Sequence, residues 1–143
     1  MASRGARSLE GAWPREREKN MRARLSAKFH FEAAHFQPGY PDGHPNRRMH
    51  GHSFTGEVVV ESEVNPVDGM VMEHEKLSGA VSEIVSTLDH NLLNDVPGLE
   101  LPTGEYLSKW IFDHLKLQIP GIKEVSVMRE TVGLKVTYWG DDS

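Results

Sequence analysis

Cysteine is absent from this chain of 143 residues. That absence excludes disulfides, thiolate metal ligands and a cysteine nucleophile in one step. A positive charge excess is also missing. The formal net charge is −5, whereas a general nucleic-acid binder carries a basic face, so no nucleic-acid partner is expected. No apolar run approaches the roughly 18 residues that a membrane span requires, so no membrane partner is expected either. No signal-peptide core stands near the start, and a cytoplasmic protein is the default expectation. No internal repeat is strong enough to define a repeat architecture. What is present, with ordinary apolar and charged fractions of 38% and 26%, is enough chain for one globular domain.

Residues 1–22 are rich in Arg, Glu and Gly and poor in apolar side chains. Such a stretch buries too little surface to offset its own ordering entropy. A loose tail is expected there, with a single folded domain over 23–143. From Leu25 the pattern changes. Leu25, Ala27, Phe29, Phe31 and Ala33 alternate with Ser26, Lys28, His30 and Glu32, which is the period of a half-buried strand. The same register reaches His35. A second run begins at His50. His50, His52, Phe54, Gly56, Val58 and Val60 share one face; Ser53, Thr55, Glu57 and Glu61 share the other.

Paired antiparallel, the two strands would gather His35, His50 and His52 at one end of the apolar face, provided no β-bulge breaks the parity. Three imidazoles plus one open position is the usual layout of a catalytic zinc site. Between the strands lie the 14 residues Phe36 to Met49, rich in Pro, Gly and Asn. Hairpin connections mostly run about 2–5 residues, and long loops of this kind often carry functional groups.

The second half reads as two helices and two strands. Leu77, Val81, Ile84 and Leu88 stand at helical spacing within Glu75 to Leu88. Asp89-His90-Asn91 interrupts that helix. Thr103 is a suitable N-cap and Glu105 a favourable first-turn acid. Leu107, Trp110, Ile111, His114 and Leu115 form the next apolar stripe. Two strands, Val125 to Thr131 and Leu134 to Trp139, are joined tightly at Gly133. The order ββααββ, without a βαβ repeat, indicates an α+β fold with an antiparallel sheet. A four-stranded sheet with helices on one face leaves another face and two edges, which oligomerisation would cover.

An ordered set of short runs then says more than spacing. Phe31-Glu32-Ala33-Ala34-His35, His50-Gly51-His52-Ser53-Phe54, Asp68-Gly69-Met70-Val71-Met72, Leu88-Asp89-His90, Leu92-Leu93-Asn94, Pro102-Thr103-Gly104-Glu105 and Arg129-Glu130-Thr131 follow one another. Together they resemble the family of 6-pyruvoyltetrahydropterin and 6-carboxytetrahydropterin synthases, most nearly the bacterial 6-carboxy type of the queuosine pathway. The likeness spans about residues 24–139.

The resemblance implies the tunnelling fold, with subunits joining their sheets into a barrel. It implies a homohexamer of two trimers with sites between subunits. It implies zinc on His35, His50 and His52, and a pterin substrate, usually 7,8-dihydroneopterin triphosphate. Glu130 would hold the pterin, with Thr103 and Glu105 nearby, and Asp89 with His90 would move protons.

Two departures stand out. The family places a general-base cysteine four residues before the first His of the His-Gly-His run, where this chain has Asn46. An amide has no useful basicity. Glu73-His74 also replaces the usual acid followed by an apolar residue. The expectation is therefore a zinc-dependent pterin synthase or lyase with altered chemistry, or else a non-catalytic pterin-binding paralogue. Plainer readings stand beside each site residue. Thr103 is also simply a cap, Glu105 an ordinary helix-start acid, Glu130 a strand carboxylate paired with Arg129, and Asp89-His90 a solvated turn. Arg47 and Arg48 read as solvated loop arginines before they read as triphosphate contacts.

Overall fold

The computed structural model describes residues 21–141. Most of the expected tail, residues 1–20, lies outside the described residues. Its last position does not behave as tail. Strand β1 runs Arg22–His35, and Arg22 pairs with Glu63. The Arg22 and Arg24 guanidiniums reach the Glu61 carboxylate at 3.4 and 2.7 Å, so the charge that suggested solvation is used across the ladder.

Strand β2 is His50–Glu63. Helices α1, His74–Ser86, and α2, Gly104–Lys116, follow. Strands β3, Ile122–Arg129, and β4, Leu134–Tyr138, complete the expected order. The sheet is antiparallel throughout in the order β1-β2-β3-β4. Alternation in β1 and β2 fixes which face is apolar, and both helices pack there. Phe31, Phe54, Val58 and Val125 meet Leu77 and Val81 of α1 and Leu107, Ile111 and Leu115 of α2. The Phe31 and Phe54 rings lie 5.1 Å apart. Each such buried side chain contributes about 1.5–3 kcal/mol.

Gly56 is required by this packing. A Cβ there would fall 2.1 Å from the Phe29 ring and 2.3 Å from the Ser126 carbonyl oxygen. The opposite face, with Lys28, His30, Thr55 and Glu57, is polar, as the alternation predicts.

Register matters most for the histidines. Pairing of β1 with β2 runs without a break from Arg22↔Glu63 to His35↔His50. The shift in the sheet falls between Val59 and Val60, on the side facing β3, and leaves the histidine end in phase.

Two local expectations need correction. The third strand stops at Arg129, and Glu130–Val132 form a 3-10 turn instead of continuing it. Gly133 causes this: its left-handed φ of 69° closes the turn, and its N–H donates to the Glu130 carbonyl at 3.1 Å. The first helix ends at Ser86, not Leu88. The chain after it docks on the free edge of β1, where the His90 N–H donates to the Glu32 carbonyl at 2.6 Å and the Ala34 N–H to the Asn91 carbonyl at 3.0 Å. Among the described residues, no helix is long and apolar enough to cross a membrane.

Candidate metal centre and its surroundings

His35 closes β1 and His50 opens β2, directly across the ladder, with His52 two residues on. The candidate ligand atoms of the three imidazoles all lie within 4.8 Å of one another. Ring centroids are separated by 4.7, 5.0 and 4.6 Å. Hydrogen bonds orient two of the rings. Nδ1 of His35 lies 2.9 Å from the Pro102 carbonyl, and Nδ1 of His50 lies 2.6 Å from the Arg48 carbonyl. A carbonyl only accepts, so Nδ1 carries the proton in both and Nε2 is the nitrogen left to face a metal.

Nε2 of His35 and Nε2 of His52 are buried without a hydrogen-bond partner. Orphaned polar atoms in a protein interior are costly unless something occupies the space between them. Burial, above all, pushes the His35 imidazole below its usual pKa, with His50 and Arg129 adding to the effect against the Pro102 hydrogen bond. His52 is pushed down to about 4, first by burial, then by Arg129 and the other two histidines. Neutral imidazoles with converging lone pairs are what a divalent metal requires. The donor set fits zinc.

A chamber of about 470 Å³ opens beside the cluster. His35, Tyr40, Asn46, Thr103, Glu105 and Arg129 are among its walls. It falls within the usual range for small-ligand sites, about 300–1,000 Å³. Thr103 is the N-cap of α2: its hydroxyl accepts the Tyr106 N–H at 3.2 Å. Asn46 belongs to the loop between β1 and β2, and its carbonyl accepts the Gln37 N–H at 2.9 Å. Arg47, next to it, is a clasp for this loop. Its guanidinium donates to the Pro38 and Tyr40 carbonyls at 2.8 and 2.6 Å and meets Asp42 at 3.0 Å. Arg47 is exposed, as expected of a solvated loop arginine, and in addition ties the loop together.

The other expected site residues stand outside the chamber. A second groove, of about 530 Å³, has both His52 and His90 in its walls, with Glu32 and Ser53. There the Asp89 carboxylate accepts the Glu32 N–H at 2.9 Å and the His90 Nδ1–H at 2.8 Å. The Glu32 N–H, then His90, hold the Asp89 carboxyl below its usual pKa. His90 has a φ of 59°, a left-handed backbone rare for a residue with a Cβ. Glu130 lies in a third groove, with Lys28, His30 and Lys135. One chain thus brings the three histidines, Thr103, Glu105 and Asn46 close together and puts His90 on a groove shared with His52. It does not bring Glu130 to them.

Three features escaped the sequence reading. Arg129 faces the chamber; its parity with Phe54 was the available signal. Tyr40 also lines it, stacked on His44 at 4.2 Å. On the far side of the sheet, the Ser53 hydroxyl donates to Glu32 at 2.7 Å, and Glu32 also bonds His30. His114, read as a packing residue, stacks on Trp110 at 3.9 Å. His74 is exposed at the start of α1.

A four-stranded antiparallel sheet backed by two helices, with three histidines at one end, defines an α+β protein of the tunnelling-fold class with a candidate metal centre. The chain matches the 6-pyruvoyl tetrahydropterin synthase family model over residues 24–141, and it belongs to that family. It is 41% identical over 107 residues to a Synechocystis protein named 6-carboxy-5,6,7,8-tetrahydropterin synthase, covering 71% of this chain and 81% of the relative. It is 36% identical over 101 residues to a Pyrococcus furiosus protein named dihydroneopterin monophosphate aldolase, covering 71% and 82%. The solved 6-pyruvoyl tetrahydropterin synthase of Caenorhabditis elegans superposes with a TM-score of 0.76 at 26% identity, covering 85% of this chain and 99% of that one.

Proposed function

We propose that this chain is a zinc-dependent enzyme acting on the side chain of a reduced pterin, 7,8-dihydroneopterin triphosphate or a close relative. The observation that carries the reading is the convergence of His35, His50 and His52, with the Nδ1 protons of His35 and His50 tied to carbonyls and the buried Nε2 atoms of His35 and His52 unpartnered. These three residues would hold the zinc. When bound, zinc supplies a Lewis acid that polarises a side-chain hydroxyl.

The chain's own residues do the rest. Glu130 takes the amino-pyrimidine edge of the pterin through two hydrogen bonds, with Thr103 and Glu105 nearby. Asp89 fixes His90 in the tautomer with the proton on Nδ1, leaving Nε2 free to take and return a proton. The left-handed backbone at His90 supports a functional role, since such strain costs on the order of 1 kcal/mol and tends to persist at functional sites. Because Glu130 stands apart from the chamber within one chain, the proposal includes a homo-oligomer, a hexamer of two trimers, whose sites are completed between subunits. It also includes the 6-carboxy branch, and with it a cytoplasmic step of queuosine biosynthesis.

Asn46 favours a second form of the reaction. Its amide lines the chamber but cannot act as the thiolate base of the family. A retro-aldol cleavage needs a base for a side-chain hydroxyl and a proton for the carbon left behind, and the Asp89–His90 pair can serve both. The P. furiosus relative named an aldolase supports this form.

The test is turnover of 7,8-dihydroneopterin triphosphate and monophosphate by zinc-loaded protein, with products identified by mass spectrometry. A cleaved or rearranged pterin above a metal-stripped control is expected. Pterin binding without any product would make the chain a non-catalytic pterin-binding paralogue.

A further inference from the structure

Arg129 is the last residue of β3. Its predecessor Met128 pairs with Thr55 on the polar face, so Arg129 shares the other face with Phe54 and His52. Its Nε is buried and has no hydrogen-bond partner. Among the described residues its guanidinium pairs with no carboxylate, although Glu105 lines the same chamber. A partly desolvated guanidinium beside neutral imidazoles is unfavourable in the empty protein. A bound zinc on those imidazoles would add further positive charge to the chamber. Glu105 offsets only part of that surplus, and an anionic ligand would balance the rest.

The geometry points to Arg129 as the specificity residue that takes a phosphoryl group, presented as a phosphate ester on the side chain of the substrate. Guanidinium groups bind phosphate through two parallel N–H···O bonds, a match that neither lysine nor an amide reproduces. The inference rests on the pterin reading above and deepens it. The chamber would discriminate a phosphorylated pterin from the free alcohol chiefly through this half-buried side chain, with the exposed Lys135 a lesser contributor. Tyr40 and Asn46 add neutral groups to the wall, while Lys135 stands exposed at its edge as a second cation and Glu105 as a carboxylate.

The test is direct binding to the zinc-loaded full chain, followed by fluorescence, with neopterin, neopterin monophosphate and inorganic triphosphate as probes. The wild-type protein is expected to bind the monophosphate roughly 10- to 100-fold more tightly than neopterin, the span of a charge-assisted hydrogen-bonded pair. Arg129→Gln should cut that preference about 10-fold while leaving neopterin affinity and zinc content unchanged. Arg129→Lys should restore part of it. No preference in the wild type overturns the inference and leaves the pterin reading standing. So does an undiminished preference in Arg129→Gln, or an equal loss of both pterins. Triphosphate binding that Arg129→Gln abolishes, in a protein that binds neither pterin, keeps the anion site and removes the pterin reading.

Discussion

The long-strand end of the sheet and its short-hairpin end carry different parts of the candidate site, and they are finished to different degrees. β1 and β2 are each 14 residues long and pair without interruption. At their end His35 is 3% exposed, and His35 and His50 are each oriented by a carbonyl. β4 has five residues. Its first residue, Leu134, is 62% exposed and Trp139, just past its end, 70%, and Glu130 sits exposed on a turn. The difference is physical. A metal site made by strand parity needs only the register of two paired strands, and one chain supplies that. A substrate site made by turns at sheet edges has open walls, and the exposed apolar residues next to it suit a surface that another subunit covers.

The comparison breaks first at the metal. His35→Ala removes the candidate ligand that the Pro102 carbonyl orients. Zinc content, measured by mass spectrometry, should fall from about one per chain to near zero, and turnover by roughly 1,000-fold, equivalent to about 4 kcal/mol of lost polarisation. Retained zinc with normal turnover would remove the metal-centre reading. Next in size is Gly56→Ala, which attacks the ladder that delivers the histidines. The Ser126 carbonyl at 2.3 Å from the added methyl is backbone and cannot swing away. A loss of about 3 kcal/mol is expected in urea unfolding, the upper end of ordinary overpacking. An unchanged midpoint would mean that the strands part more easily there than this packing allows.

Glu130→Gln sharpens the contrast from the other end. Zinc content should stay at the wild-type level, while KM for the pterin rises about 10- to 100-fold, the worth of a charged hydrogen-bonded anchor. Loss of zinc together with affinity would tie Glu130 to the metal end and dissolve the distinction between the two regions.

The same contrast explains what the sequence disclosed. Period-two alternation in β1 and β2 was enough to put three histidines on one face, because parity survives unless a bulge intervenes and the irregularity fell elsewhere. Thr103 as an N-cap was legible because the capping bond is local, from the Tyr106 N–H to its hydroxyl. Glu130 was misplaced in a strand because alternation carries no mark for where a strand stops. Gly133, read only as a tight link, determines it through its left-handed backbone. The clasp made by Arg47 was not legible for a related reason. Its partners are carbonyls of Pro38 and Tyr40, and every residue has a carbonyl, so nothing in the side-chain pattern announces them. Arg129 looked like a partner for Glu130 because the two are adjacent. The strand ends at Arg129 and the turn begins at Glu130, and the two side chains line different cavities.

The smallest expected effect concerns the segment that holds His90 on the edge of β1. Asp89 there binds the Glu32 N–H at 2.9 Å and His90 at 2.8 Å, and its folded-state pKa lies below the ordinary 3.8. A carboxyl whose pKa is depressed on folding binds its proton more readily in the unfolded chain. It therefore contributes stability that is complete above the unfolded value and is lost as pH falls through the folded one. Asp89→Asn lacks that contribution. Urea midpoints of wild type and variant should differ most at neutral pH, with the wild type higher. The two curves should draw together as pH drops below about 3.8. A gap that stays constant down to pH 3 would mean that Asp89 acts through shape and neutral hydrogen bonding. The charge on the carboxylate would then have no part in holding His90 in its left-handed conformation.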